Sequence, residues 1–190
     1  MRQFFIHIGT HKTGTTTIQK WLAMNREVLL TQRTLYPRSC CPTAASDGQH
    51  LLAWSLRRDK NCAQVEDVWP RVFDEIDAMQ PQKIVVSSED FDALEQSQIS
   101  RLKGLLDKQY EVRVVLYLRN PLGFLVSAFK QQVKSDKRWS GTPGHFLQVN
   151  MHRCNYTDLI GRYESVIGKT YLDARLYDKV RTESNLLADM

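Results

Sequence analysis

The sequence predicts an α/β fold, with a central parallel sheet covered by helices on both faces. Phe4–Ile8, Lys83–Ser87 and Val112–Leu118 are short apolar runs of strand length, the last the richest in β-branched residues. Between them lie longer stretches whose apolar residues recur at helical spacing. Strands alternating with helices imply right-handed crossovers, which bring all the strand ends to one edge.

Phe4–Ile8 reads as the first core strand and runs into a glycine-bounded loop, Gly9–Gly14. Thr15 to about Leu30 follows with Ile18, Trp21, Leu22, Val28 and Leu29 on one stripe, interrupted by Asn25. Residues 31–49, punctuated by Pro37, Pro42 and Gly48, read as an irregular connection. Helices are expected over His50–Arg58 and Val65–Met79. Pro81 introduces the Lys83–Ser87 strand, and a helix over Gln98–Lys108 precedes the Val112–Leu118 strand. Pro121 then opens a helix with an expected apolar stripe of Leu122, Leu125, Val126, Phe129 and Val133. Gly141–Gly144 reads as a break. A helix over Tyr156–Val166, a strand over Thr170–Tyr177 and a short helix over Glu183–Met190 complete the chain.

With 190 residues and 42% hydrophobic content, the chain suits one domain spanning 1–190. No apolar run approaches the roughly 20 residues of a membrane helix. The apolar N-terminal run is too short for a signal peptide, so a cytoplasmic protein without a transmembrane segment is expected. Cys40, Cys41, Cys62 and Cys154 form no Cys-x-x-Cys pair; they read as free thiols rather than a zinc or disulfide framework. A net charge of +5 suits anionic ligands. Lys130, Lys134, Lys137 and Arg138 read as a solvated helix face, and no nucleic-acid motif surrounds them. His7 reads as a structural side chain within its strand.

The segment Gly9-Thr10-His11-Lys12-Thr13-Gly14-Thr15-Thr16 lies between a strand and a helix, where backbone N–H groups and the helix dipole attract anions. Gly9, Gly14 and Thr16 have the spacing of a nucleotide-binding Gly-x-x-x-x-Gly-Lys-Ser/Thr loop. Thr15 occupies the lysine position, and the lysine lies instead at residue 12. The strand-end carboxylates, Glu89-Asp90, are preceded by two serines rather than by the apolar run of a clear magnesium-binding site. A nucleotide kinase or NTPase is therefore the second reading, and a catalytically silent nucleotide-binding domain the third.

The displaced lysine resembles the 5′-phosphosulfate loop of the sulfotransferases. Arg119 at the end of the strongest strand and Ser127 eight positions on match the pair that binds the 3′-phosphate in that family. The resemblance implies a three-layer, P-loop NTPase-like sandwich of bacterial type. It implies a co-substrate, 3′-phosphoadenosine 5′-phosphosulfate (PAPS), used without a metal. The acceptor would be a hydroxyl or amine of a small molecule or glycan. By the same resemblance Lys12, Thr13, Gly14, Thr15 and Thr16 hold the 5′-phosphosulfate, and Lys12 also stabilises the departing phosphate. Arg119 and Ser127 hold the 3′-phosphate, and Tyr177 lies near the adenine. The base in this family follows a strand, which nominates Glu89, with His11 beside Lys12 as second choice. Two departures stand out. Thr17 occupies the position of an adenine-stacking aromatic, and the chain ends without the late Arg-Lys-Gly stretch of the cytosolic members.

Overall fold

A computed structural model of the chain describes residues 1–43, 45–58, 67–135, 138–183 and 186–189. Cys62, Val65, Lys137 and Met190 lie outside the described residues. The strands β1 (Arg2–His7), β2 (Thr34–Leu35), β3 (Lys83–Ser87), β4 (Tyr110–Leu118) and β5 (Leu172–Leu176) form one sheet in the order β2-β3-β1-β4-β5. All four pairings are parallel. His7 at the end of β1 sits opposite Ser87 of β3 and Val115 of β4, so these strands end at one level.

The alternation of β1 sends Phe4, Ile6 and the following Ile8 into one face, all fully buried. There they meet α3 (His50–Arg57), α4 (Val68–Met79), α5 (Gln96–Leu106) and α8 (Tyr156–Ile167), which contribute Leu52, Val72, Ile76, Leu102 and Tyr163. The opposite face carries Val115, Tyr117 and Tyr36 against Ile18 and Leu22 of α1 (Thr15–Met24). Val180 of α9 (Tyr177–Glu183) and Leu186 of α10 (Leu186–Asp189) pack beside them. Helices thus cover both faces of a parallel sheet, the three-layer sandwich the sequence predicts. Among the described residues no helix is long and apolar enough to cross a membrane.

Several elements differ from the sequence reading. The helix expected over Thr15–Leu30 is two, α1 and α2 (Arg26–Thr31), parted at Asn25. The Asn25 amide donates to the Trp21 carbonyl at 2.8 Å, a side-chain bond that competes with helix continuation. The irregular 31–49 segment contains β2, which pairs with β3. In α6 (Pro121–Lys134) the buried residues are Phe124, Leu125 and Ala128, whereas Leu122, Val126 and Val133 are exposed. Phe129 turns sideways to meet Phe146 of α7 (Pro143–Asn150), their ring centroids 5.3 Å apart. The presumed break at Gly141–Gly144 is the start of α7, capped by Thr142 and Pro143. Tyr177 opens α9 rather than closing a strand, and α9 and α10 replace the single helix expected over Glu183–Met190. Cys40, Cys41 and Cys154 are free thiols.

His7 is fully buried, with Nδ1 2.8 Å from the Ser87 hydroxyl and Nε2 without a partner. Burial, reinforced by the charge of Arg175, pushes its pKa from 6.5 down to about 4. Between these values the unfolded chain binds the proton that the folded chain refuses. The contribution of His7 is therefore complete above pH 6.5 and is lost as the pH falls towards 4, on the order of 3 kcal/mol in all. Urea unfolding of wild type and His7→Gln at several pH values should show this slope in the wild type and a much flatter one in the variant.

Candidate active site

A parallel sheet presents every carboxyl strand end at one edge, and the chain leaves β1 and its neighbours there in different directions. Such a switch point forms a crevice. The loop after β1, the turn after β3 and Arg119 after β4 all emerge at it.

The loop is fastened to β4 by its backbone. Thr10 N–H donates to the Tyr117 carbonyl at 3.0 Å, and Tyr117 N–H donates to the Gly9 carbonyl at 2.6 Å. Gly9, Lys12 and Gly14 adopt φ of 93°, 66° and 78°. The buried Thr13 hydroxyl donates to the Thr10 carbonyl, so it braces the loop from within. Gly14 caps α1 with no side chain, which leaves the first helical N–H groups, at Thr15 and Thr16, without a side-chain acceptor. Thr15 is buried, and Thr16 and Thr17 are exposed.

Arg119 reaches this loop. Its Nη1 donates to the Lys12 carbonyl at 2.8 Å, and its guanidinium lies 5.5 Å from the centre of the Tyr177 ring. Its Nε is buried without a partner. A Cβ on Gly123 would stand 3.4 Å from that Nε, so the arginine runs along the first turn of α6. The half-buried Ser127 is four residues beyond Gly123, on the same helix face. Asn120 caps α6 through its side chain, and its own N–H donates to Asp178 at 2.8 Å. Tyr156 donates its hydroxyl hydrogen to the Arg119 carbonyl at 2.9 Å. The structure thus brings the loop, Arg119 and Tyr177 together and places Ser127 one turn further along.

The turn after β3 is a 3₁₀ segment, Glu89–Ala93, capped by Ser88, whose hydroxyl accepts from Asp90 N–H at 3.1 Å. Glu89 accepts from the Gln19 amide at 3.0 Å, and its Cα and Cβ would stand 3.3 Å from a Cβ on Gly9. Burial lowers the pKa of Lys12; the Glu89 carboxylate opposes that shift, and Arg119 and Arg153 add to it. Asp90 accepts from Trp54 at 2.9 Å and lies 3.1 Å from His50 Nδ1, which also stands 2.9 Å from the Ser88 hydroxyl. Burial alone would raise Asp90, but the bonds from His50 and Trp54 outweigh it and hold the carboxyl below its ordinary range. Asp92 lies 3.9 Å from His11, and burial carries its pKa to about 6. His11 and Thr10 form one rim of a cavity of about 550 Å³; Glu89 is not among its walls. Among the described residues no group of three or more His, Cys, Asp or Glu side chains could hold a metal ion.

Sequence reasoning missed Gln19, His50, Asp92, Arg153 and Tyr156. Gln19 carried a signal, a polar side chain beside Ile18 in a buried stripe; it is 4% exposed and points at the acidic turn. Asp92 shares the Glu89 turn, and its partner His11 reaches it only in the fold; His50, Arg153 and Tyr156 come from remote segments that only the folded chain assembles.

No protein-family model matches the sequence, and no curated protein matches it. Solved structures do. A sulfotransferase from Alicyclobacillus acidocaldarius aligns with a TM-score of 0.60 at 16% identity, over 96% of this chain and 76% of that one. The sulfotransferase domain of the curacin biosynthetic pathway aligns at 0.55 and 12% identity, over 96% and 69%. A mouse sulfotransferase complexed with PAP, adenosine 3′,5′-bisphosphate, aligns at 0.51 and 14% identity, over 95% of this chain and 54% of the mouse chain. The chain has the sulfotransferase fold. In this chain the crevice falls at the strand ends flanking the central strand β1, and the glycine-bounded loop follows β1.

Gly14 is one of the two confined glycines of this loop. A Cβ there would stand 2.5 Å from Leu186 Cδ2, at a φ of 78° that side chains resist. Gly14→Ala should lower stability by at least about 1–2 kcal/mol. Urea unfolding checks this, with Gly104→Ala, where a Cβ meets nothing within 4 Å, as the control expected to be unimpaired.

Proposed function

We propose that the chain is a sulfotransferase that takes its sulfuryl group from PAPS and passes it to a hydroxyl or amine. The observation that supports this reading most is the 2.8 Å bond from Arg119 to the Lys12 carbonyl, with Arg119 Nε buried and unpartnered beside it. Two anion-binding elements are thereby held at neighbouring strand ends, and the arginine keeps unengaged N–H donors, the buried Nε–H among them, for an oxyanion. That suits a nucleotide with phosphates at both the 5′ and 3′ positions. In this reading the loop backbone, Lys12, Thr13, Gly14, Thr15 and Thr16 hold the 5′ end. Arg119 and Ser127 hold the 3′-phosphate, and Tyr177 flanks the nucleotide.

The acceptor oxygen or nitrogen forms a bond to sulfur while the bond from sulfur to the bridging phosphate oxygen breaks. The electron pair of that bond leaves with adenosine 3′,5′-bisphosphate, where the Lys12 ammonium meets the growing charge. Glu89 takes the acceptor proton. Its neighbours support that role: Gln19 orients the carboxylate, and Lys12 is near enough to feel its charge. His11 is the second reading of the base, favoured by its place on the cavity rim beside Asp92.

Calorimetric titration with adenosine 3′,5′-bisphosphate, against ATP with magnesium, tests the donor. The bisphosphate should bind without metal and ATP much more weakly; the reverse order favours a kinase. Arg119→Ala should weaken bisphosphate binding by roughly ten- to a hundredfold, the worth of one or two charge-assisted hydrogen bonds. In Glu89→Gln, turnover should fall by about 10²–10⁴-fold with bisphosphate affinity retained. Wild-type turnover there, with a comparable loss in His11→Gln, assigns the base to His11.

A further inference from the structure

The cavity of about 550 Å³ beside Thr10 and His11 has a volume suited to a small molecule or a short saccharide. Its apolar walls are confined to Ala93, Phe124 and Leu159; the remaining lining is charged or hydrogen-bonding.

The charges on the walls are not equally engaged. Asp158 accepts from Arg162 at 3.0 Å, and Arg162 also donates to the Asp92 and Leu94 carbonyls. Asp90 is held by His50 and Trp54, and Asp92 faces His11. Arg153 differs. Its guanidinium lies 5.2 Å from the centre of the Phe124 ring; its charge is felt by Asp92 on the same cavity, but among the described residues no carboxylate stands at ion-pair distance from it. One face of this exposed cation rests on the ring, and among the described residues its N–H groups have no protein acceptor, which leaves them open to a planar or tetrahedral oxyanion. Arg153 is also close enough to Lys12 to act on its titration, which puts this cation near the loop.

We propose that this cleft takes a hydrophilic acceptor carrying an acidic oxyanion, which pairs with Arg153 while the acceptor's hydroxyl or amine lies at the Thr10–His11 rim; as an acceptor assignment it rests on the donor reading above. The test compares matched pairs that differ in one charge: glucuronate with glucuronamide, and 4-hydroxyphenylacetate with 4-hydroxyphenylacetamide. Affinities are read by saturation-transfer NMR on the full chain, with and without adenosine 3′,5′-bisphosphate. Each acid should bind at least tenfold more tightly than its amide. Arg153→Lys should keep most of that ratio, and Arg153→Gln should reduce it to within twofold. Equal affinities within each pair, no binding of either acid, or an acid preference that survives Arg153→Gln overturns the assignment. An acid preference that is lost in Arg153→Gln supports the cleft even where the bisphosphate fails to bind. That failure overturns the donor reading alone.

Discussion

The hydrogen bond from Arg119 to the carbonyl of Lys12 ties the end of β4 to the loop that follows β1. A carbonyl in a loop of positive-φ residues has no regular partner of its own. A charged donor supplies one, a bond class worth roughly 1.5–3 kcal/mol. The arginine is itself held on several sides. Tyr156 holds its carbonyl, Tyr177 lies beneath its guanidinium, and Asp178 anchors the next residue. With the two backbone bonds between Tyr117 and Gly9–Thr10, this tie sets where the loop turns relative to α6.

Charge at the crevice is divided. Arg119 and Arg153 both act on Lys12 on one side. Glu89, Asp90 and Asp92 occupy the turn after β3 on the other. Three carboxylates within four residues would repel one another in an open turn. Here the Ser88 cap, the Gln19 amide, the Trp54 indole and His50 each take one of the exposed oxygens or N–H groups. Gly9 leaves room for Glu89 to come within contact of the loop. The lysine and the carboxylate proposed for opposite ends of the same transfer are thus neighbours before any ligand arrives.

Some of this was readable from local pattern. A mostly apolar strand followed by glycines at positions 9 and 14 has few alternatives to a strand, a tight loop and a helix start, since positive φ at those positions favours glycine. Asn120 and Pro121 marked the start of α6 for an equally local reason, the capping of free N–H groups. The buried side of α6 was not readable. Leu122, Val126 and Val133 carry the hydrophobicity but face outward. The orientation of that helix is set by its cap and by what Phe124 and Ala128 meet, not by its own periodicity. The same limit hid α7, whose glycines read as a break.

The sequence by itself determined the alternation of strand and helix, the anion-binding loop and the presence of an arginine at a strand end, because each depends on residues within about ten positions of one another. Tertiary structure alone decided that His50 and Trp54 would brace Asp90, that His11 would face Asp92, and that Arg153 would stand on the same cleft as Thr10. These groups are dozens of residues apart along the chain. They meet because parallel strands deliver all their ends to one edge, and the crossovers that return the chain between strands leave no trace of that meeting in the spacing of the residues.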